Sequence, residues 1–468
     1  MITPVLSAVA DAGGSVSFAT WQSVIVMVTT AFAAVIAHYG LAVFNDGARP
    51  FMLDFIRGNT SRMATATIVF GLSAGFIFGL GAPMALSTGV LNPWLIFLPA
   101  EILGLLAPWR WLAGAAGLAW GAVCAYGLSA VNSAAQQLPV DFITALQQIG
   151  TPILWLFAMF PVIAVARQFG RTRGLITFGA EAAVIVASTV LFPSMFAGSL
   201  AMAIGVILLL VFALTKDRSD KRVEVAALAG MDEATRVEVA AAKASSEEAV
   251  NQLFGPNAER LRKNVPWLAI LGGLVAALSA THIFAGGEAT SFLIADGNIV
   301  EAAQVDFYRA FGFIPLIATT ALASGAYALA GFTFVYPAGY LLGHVIDNPA
   351  VALAVAFVVG ALIFWAEVIA LSALGKWLQR WPSVRDSADH IRNAIHESLQ
   401  VAILVGSLMA ALAMGGGLGI FIVGGLYLLN DAIGRPVVRM AAGPAAVIVG
   451  GIVLNLLYLV GLFTPVAG

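Results

Sequence analysis

Residues 195–214 read MFAGSLAMAIGVILLLVFAL, and residues 215–224 directly after them read TKDRSDKRVE. The first stretch has twenty residues without a charged side chain, which is the length that a helix needs to cross the hydrocarbon core of a bilayer. Seven of the next ten residues are charged, so the chain leaves this apolar environment abruptly. The boundary predicts an all-α integral membrane protein and divides the chain near its middle.

The overall composition agrees with a membrane protein. Hydrophobic residues make up 60% of the 468 and charged residues 10%, whereas a soluble domain is about a quarter charged. Lys216–Lys263 alone holds 18 of the 48 charged residues. A net charge of −2 without a basic tract argues against a nucleic-acid partner. We expect no enzyme activity, cofactor or metal site, because the sequence shows no Walker-type phosphate loop, convincing catalytic triad or metal-binding histidine spacing.

Apolar runs of membrane-span length occur on both sides of the charged window. Seven precede it and seven follow it, and two of the later runs are short, so we expect 12 to 14 transmembrane segments. Runs of about twenty residues disfavour a β-barrel. The chain then consists of an extracytoplasmic N-terminal segment, a first membrane half, a charged cytoplasmic linker and a second membrane half, at 1–20, 21–214, 215–264 and 265–468.

Positive charges orient these spans, because short cytoplasmic loops are enriched in Lys and Arg. The loops around Arg57, Arg171, Arg385 and Arg435 all lie inside if both termini lie outside. The acidic stretch from Glu288 to Asp306 then lies outside. An odd number of spans in each half makes the second half start from the opposite face, which predicts two inverted-topology repeats.

Internal echoes in the sequence support the repeat. FLPA at 97–100 resembles VYPA at 335–338, and LSTG at 86–89 resembles LASG at 322–325. Matches between small residues also arise by chance in Leu/Ala/Gly-rich sequence, so the topology carries more of the inference than the echoes do.

Interrupted helices suggest where a substrate binds. Residues 79–93 read GLGAPMALSTGVLNP and residues 312–325 read GFIPLIATTALASG, so both combine Gly/Pro breaks with hydroxyl side chains. Non-helical backbone at membrane depth is stable only against protein or water, so we expect both stretches to line one cavity, as in elevator-type carriers. The predicted substrate-binding residues are Ser87, Thr88, Asn92, Thr319, Thr320 and Ser324. The alternative is that these hydroxyls bond to the backbone of their own helices.

Ionisable groups inside apolar runs are further candidates, since each costs about 2.5–3.5 kcal/mol at a helix centre. Glu367 lies deepest, with no compensating charge before Lys376. Glu101 has the alternative of an interfacial ion pair with Arg110, and the two Asn-Asp pairs have that of capping the ends of helices. The predicted coupling or gating residues are His38, Asp46, Glu101, Glu367, Asn430 and Asp431.

Several stretches carry a resemblance to a known family. They include AHYGLAVFNDGARP at 37–50, FIPLIATTALA at 313–323 and GFTFVY at 331–336. On these stretches the chain resembles the YhfT family of bacterial inner-membrane proteins, from about His38 to Phe463. The resemblance implies a multi-pass protein of the bacterial inner membrane and a carrier, and it supplies no site residues.

Inverted topology with paired interruptions predicts a secondary transporter of a small polar metabolite by alternating access. Helix N-termini directed at the cavity favour an anionic substrate. The alternatives are the membrane component of a phosphotransferase-like uptake system, which would need a soluble phosphoryl donor, and a non-transporting membrane scaffold. The expected partners are the small-molecule substrate and the lipid bilayer, and assembly as a homodimer stays open.

Overall fold

The computed structural model describes residues 17–135, 137–191 and 197–465. Helices dominate this part of the chain, and nine of them are long and apolar enough to cross a membrane. A tenth candidate span consists of Gly255–Lys263 and Val265–Ser279, which meet at an angle of 67°. The predicted class, an all-helical integral membrane protein, is confirmed for the described residues.

The first membrane half consists of helices joined by short turns. The segment Ile77–Gly81 is π-helical and joins α3 to α4, and Val123–Gly127 does the same between α6 and α7. Its elements are α1 (Thr20–His38), β1 (Ala42–Val43), α2 (Arg49–Ile56), α3 (Arg62–Phe76), α4 (Ala82–Thr88), α5 (Pro93–Leu106), α6 (Arg110–Ala122), α7 (Leu128–Ala135), α8 (Phe142–Leu146), α9 (Gly150–Phe157), α10 (Phe160–Phe169), α11 (Arg171–Leu191) and α12 (Ala197–Ala229).

The second half follows a long polar helix. Its longest helix, α19, is kinked where Gly415 and Gly416 have non-helical backbone angles. The polar helix is α13 (Glu233–Lys263). The elements of the second half are α14 (Val265–Ser279), α15 (Glu288–Ala295), α16 (Ile299–Ser324), β2 (Tyr327–Ala328), α17 (Val335–Val345), α18 (Pro349–Arg380), α19 (Pro382–Ala432) and α20 (Arg439–Leu459).

Each half begins with a similar group of three helices. Helix α1 packs against α5 and α6, and α14 packs against α17 and α18. A Cβ atom at Gly104 of α5 would lie 2.2 Å from the Ala34 carbonyl oxygen, and one at Gly343 of α17 would lie 2.1 Å from that of Ala280. Both positions therefore need glycine, because helices without a hydrophobic driving force between them pack through small residues.

Two pairs of short extended segments connect the halves, and we call each pair a crossing. In the first crossing, Leu41–Val43 runs parallel to Tyr327–Ala328, and the Tyr327 amide donates to the Leu41 carbonyl at 2.8 Å. In the second crossing, Leu91 lies parallel to Ile283–Ala285, and the Leu91 amide donates to the Ile283 carbonyl at 2.7 Å. In the first crossing, the segment after α1 pairs with the segment after the left-handed glycine Gly325. In the second, the segment after α14 pairs with the segment after the left-handed glycine Gly89.

Those glycines end α4 and α16 in the same way. Gly89 has φ 70° and Gly325 has φ 68°, a conformation that a Cβ atom disfavours. The residue before each glycine, Thr88 or Ser324, has a hydroxyl side chain. This hydroxyl accepts a hydrogen bond from the backbone amide of the residue after the glycine, Val90 or Ala326, at 3.2 Å. The echo between LSTG and LASG therefore corresponds to a shared local structure.

The predicted break at 312–315 differs in the structure. Helix α16 continues through Gly312 and Pro315 and is interrupted only at Gly325. The number of long apolar helices in the described ranges is also below the predicted 12 to 14. Two reasons are that α5 has only 14 residues and α17 only 11, and that two of the predicted runs lie in the single kinked helix α19.

The charged window between the halves is helical. Helix α12 continues from the apolar run to Ala229, and α13 covers Glu233–Lys263. Near the end of α13, Arg260 donates to the carbonyls of Tyr39 and Gly40, each at 3.0 Å, and to that of Gly325. The linker therefore contacts both halves beside the first crossing.

Candidate functional site

A cavity of about 450 Å³ lies beside the two crossings. We call it the Arg309 cavity. Residues from both halves line it, and α9, α19 and α20 supply part of the wall. Its lining includes Phe44, Asn45, Trp94, Phe157, Gly286, Glu288, Arg309, Thr333, Tyr336, Arg392, His396 and Met440.

A chain of polar contacts forms one wall of the cavity just after the second crossing. The Gly286 amide donates to the Tyr340 hydroxyl at 2.6 Å, and this hydroxyl donates to the Asp306 carboxylate at 2.9 Å. Asp306 forms an ion pair with Arg309 at 2.6 Å, and Arg309 donates back to the Gly286 carbonyl at 3.0 Å. These contacts fix the Arg309 side chain against the unwound backbone.

Glycine permits this arrangement. A Cβ atom at Gly286 would lie 2.1 Å from the Tyr336 ring, and one at Gly287 would lie 2.1 Å from the Arg309 guanidinium. The Gly286-Gly287 pair thus lets Arg309 and Tyr336 lie directly on the backbone that leads into α15.

Three buried side chains of the lining have polar atoms that are not hydrogen-bonded. They are Glu288 Oε1, Arg309 Nε and the Tyr336 hydroxyl, which have no partner among the described residues. The three residues are only 2%, 7% and 1% exposed. An unpaired buried polar group costs about 1–3 kcal/mol, so such a cluster on a cavity is typical of a binding site.

The first crossing has different polar chemistry. Glu101 in α5 is fully buried, and its Oε2 accepts from the amides of Phe44 and Asn45 at 3.1 and 3.0 Å. The Asn45 side chain donates to the Ser73 hydroxyl at 2.8 Å. Glu101 therefore stabilises the free backbone amides that follow the crossing.

Comparisons with known proteins identify the family of the chain. The profile of the YhfT family, described as a protein of unknown function, matches residues 22–463. The chain belongs to the YhfT family. It is similar to the uncharacterized protein YhfT of Escherichia coli strain K12, with 39% identity over 464 residues, which cover 95% of this chain and 99% of that protein. No solved structure matches the chain significantly. The YhfT match includes both crossings and the whole lining of the Arg309 cavity.

The predicted substrate-binding residues are placed at the breaks, but their described side chains bond to backbone. Ser87 and Thr88 donate to the Met84 carbonyl at 3.0 and 2.7 Å, and Ser324 bonds to the backbone of Ala326. Asn92 caps α5 by accepting from the Leu95 amide. None of these four residues lines the Arg309 cavity. The side chains of Thr319 and Thr320 lie outside the described part of the structure. Substrate contact by these six residues stays a prediction.

The predicted coupling and gating residues lie at three separate places. His38 follows the pattern of the halves: its Nδ1 contacts the Gly104 carbonyl at 3.1 Å, as His282 Nε2 contacts that of Tyr340 at 2.9 Å. Glu101 lies at the first crossing. The Asp46 side chain is outside the described part.

Glu367 lines a second, larger cavity of about 700 Å³, which we call the Glu367 cavity. The Tyr327 hydroxyl of the first crossing donates to Glu367 Oε2, while Oε1 is buried and has no hydrogen-bond partner among the described residues. Apolar side chains of α16 and α18 form most of the lining. The structure thus connects Glu367 to the first crossing through one side chain.

Asn430 and Asp431 stabilise the turn before α20. The Asn430 amide side chain exchanges hydrogen bonds with the Val437 backbone at 2.8 and 3.0 Å. Asp431 forms ion pairs with Arg435 at 2.5 Å and Arg439 at 3.0 Å. These contacts are those of the alternative, capping role, while a gating role stays a prediction.

The sequence analysis missed Glu288, Asp306, Arg309 and Tyr336 as site residues. It read Glu288 to Asp306 as an acidic outer stretch, yet Glu288 is 2% exposed and Asp306 is fully buried. The available signal was the Asp306–Arg309 spacing, which places opposite charges on one face of a helix.

Proposed function

We propose that the chain is a secondary transporter that moves a small polar metabolite across the bacterial inner membrane by alternating access. The observation that carries the proposal is that each half pairs an extended segment with the other half, beside a cavity whose buried lining has unpaired polar groups. In transporters built from repeats, interrupted helices meet at the substrate site and present backbone groups to it.

The contacts between the halves support an inverted repeat. Leu91 and Tyr327 each lie two residues after a left-handed glycine, and Ala42 and Phe284 lie four and five residues after the ends of α1 and α14. Exchanging the halves turns the Ala42–Tyr327 pair into the Phe284–Leu91 pair, and both pairs are present. A histidine, His38 or His282, also lies at or just after the end of α1 and of α14, and its ring contacts a backbone carbonyl of its own half.

The walls of the Arg309 cavity support movement of one block against another. One block would contain the two crossings, and Phe44, Arg309 and Tyr336 belong to it. The other block would contain α19 and α20, which supply Ile395 and Met440. A site on the boundary between two blocks can open to either face when one block slides, as in an elevator mechanism. Arg392 and Val438 line the cavity next to loops that the positive charges assign to the cytoplasm, while Glu288 lines it at the start of the stretch assigned to the outside.

Transport by purified protein in proteoliposomes tests the proposal. Uptake of labelled carboxylates, phosphate esters, amino acids and sugars would be measured with proton, sodium and potassium gradients in turn, without any phosphoryl donor. We expect gradient-dependent uptake of at least one class, above that of empty vesicles. Absence of uptake and of counterflow for every class, by protein that melts cooperatively, would overturn the proposal. Uptake that requires a phosphoryl donor would instead support the phosphotransferase-like alternative.

A further inference from the structure

The unpaired atoms of the Arg309 cavity differ in what they can bind. Arg309 Nε is a hydrogen-bond donor, the Tyr336 hydroxyl can donate or accept, and the carboxylate oxygen Glu288 Oε1 is an acceptor. All three lie on one small cavity and are more than nine-tenths buried. A ligand that satisfies the whole cluster must therefore bring both an acceptor of high charge density and a strong donor.

We infer that the substrate is a small zwitterion whose oxyanion binds Arg309 Nε and the Tyr336 hydroxyl and whose ammonium group binds Glu288. This inference rests on the proposed transport function and names its substrate class. The oxyanion can be a carboxylate or a phosphate, since both accept hydrogen bonds from a guanidinium and a phenol.

The charges of the cavity favour a zwitterion over a simple anion. Glu288 and Asp306 each carry a carboxylate and Arg309 carries one positive charge, and the Arg309–Asp306 pair, at 2.6 Å, uses that charge. Arg309 also acts electrostatically on Glu288, so the two carboxylates share one cation and leave one negative charge unbalanced. An anion without an ammonium group would enter beside this negative charge and leave it unpaired, which is costly in a buried site.

A simple cation is disfavoured for the opposite reason. An amine bound to Glu288 would leave the Arg309 Nε and the Tyr336 hydroxyl without an acceptor. The other charged group on the lining, Arg392, is half-exposed and pairs with Asp389 at 2.9 Å. It therefore does not change the balance of charge among the buried groups. A molecule with both an oxyanion and an ammonium group satisfies the three atoms together and also balances the charge of the cavity.

The size of the cavity limits the zwitterion. Its volume of about 450 Å³ is near the lower end of the range for ligand pockets, about 300–1,000 Å³. Aromatic and aliphatic side chains such as Trp94, Phe313 and Leu329 form much of the remaining wall. The site thus fits an amino acid or an aminoalkyl phosphate with a short or apolar body.

Matched ligands test the inference directly. Binding to the full-length purified protein would be measured by thermal stabilisation and by displacement of a bound radiolabelled zwitterion. The probes are alanine, leucine, β-alanine, γ-aminobutyrate and phosphoethanolamine, each beside an analogue that lacks the ammonium group and one that lacks the oxyanion. We expect at least one zwitterion to bind at least about tenfold more tightly than both of its analogues, because each analogue leaves a charged partner unpaired. The carboxylate and phosphate probes separate the two oxyanion sources.

Two variants locate the groups. Glu288→Gln should weaken the zwitterion at least about tenfold and should not weaken the analogue without ammonium, which then no longer enters beside a negative charge, so that discrimination between the two collapses. Tyr336→Phe should weaken the zwitterion and the analogue without ammonium by similar factors. Glu233→Gln, an exposed carboxylate of α13, is the matched control and should bind as the unchanged protein does.

The outcomes separate this inference from the proposed function. Failure of every zwitterion to bind, an analogue that binds within about twofold of its zwitterion, or unchanged binding by a folded Glu288→Gln protein would overturn the inference. Transport of an anion that does not depend on Glu288 would do the same and leave the transporter standing. A zwitterion that binds as expected but never crosses the membrane would overturn the proposed function alone.

Discussion

The two crossings have the same backbone design and different chemistry. Each pairs a strand that follows the first helix of one half with a residue two positions after a left-handed glycine, Gly325 or Gly89, of the other half. After the first crossing, free amides bond to the Glu101 carboxylate. After the second, the Gly286 amide bonds to Tyr340, and beside it lie charged groups that are not fully paired.

This difference indicates that symmetry and specificity are separate in the molecule. The shared backbone positions the two halves, which requires close packing and satisfied hydrogen bonds. The asymmetric side chains place binding groups on the second crossing, while the first crossing is tied to the linker by Arg260 and to Glu367 by Tyr327. We therefore expect changes at the two crossings to affect different properties.

The largest effect is expected at Glu367, on the side of the first crossing. If it carries the coupling proton or cation, Glu367→Gln should abolish gradient-driven accumulation, since the amide keeps the size and loses the charge. Glu367→Asp, which keeps the carboxyl group, should retain part of the accumulation. Accumulation would be measured in proteoliposomes at several pH values. An unchanged profile for the glutamine variant would leave Glu367 with a purely structural role.

Packing should be equally sensitive in both halves. Gly104→Ala and Gly343→Ala each place a methyl group against a helix backbone and should cost about 3 kcal/mol in stability. Thermal melting of purified protein measures the loss. Gly179→Ala is the control, because a Cβ atom there meets no other atom within 4 Å. A large effect in one half alone would break the correspondence between the α1 and α14 groups.

Loss of one hydroxyl should disturb the second crossing. Tyr340→Phe leaves the Gly286 amide without its acceptor and removes a donor to Asp306, so we expect a loss of about 2 kcal/mol. Tyr458→Phe, at a residue that is 41% exposed, is the matched control. The same melting assay applies. If Tyr340→Phe melts like the control, the contact chain around Asp306 does not stabilise the fold.

The smallest effect is expected from the linker contact. Arg260→Gln removes the bonds to the Tyr39, Gly40 and Gly325 carbonyls, which should cost about 1 kcal/mol because the arginine is partly exposed. Hydrogen exchange should accelerate at the Tyr327 amide of the first crossing and stay unchanged at the Leu91 amide of the second. The exposed Arg262→Gln on the same helix serves as control. Equal acceleration at both crossings would mean that the linker does not act on the first crossing specifically.

Part of this organisation could be predicted from the sequence. Apolar runs follow directly from composition, and the Gly/Pro stretch at 79–93 is interrupted as expected, by a π-helical turn and a left-handed glycine. The echo between 86–89 and 322–325 also has a structural counterpart, because a short polar residue followed by glycine is a local signal. Such signals depend on neighbours in the chain and need no knowledge of distant contacts.

The binding groups could not be predicted in the same way. The bond between Gly286 and Tyr340 joins residues 54 positions apart, and the contact between Gln22 and Thr281 joins residues 259 positions apart. Glu288 and Asp306 resemble loop residues until such contacts bury them. Conversely, the sequence predicts that the Ser87 and Thr88 hydroxyls bind substrate, but both donate to the Met84 carbonyl in the preceding turn. A sequence pattern does not distinguish such a hydroxyl from a free one.

The most direct test of the account is whether the Arg309 cavity opens to both faces of the membrane. Cys124 is the only cysteine, so Cys124→Ala with Leu329→Cys places one thiol on the cavity wall, and Cys124→Ala with Val237→Cys places one on the exposed linker. An impermeant thiol reagent would be applied from either side under opposite gradients. We predict that the thiol at position 329 reacts from either face, depending on the gradient, while that at 237 reacts only from the cytoplasm. Reaction at 329 from one face under every gradient would contradict alternating access.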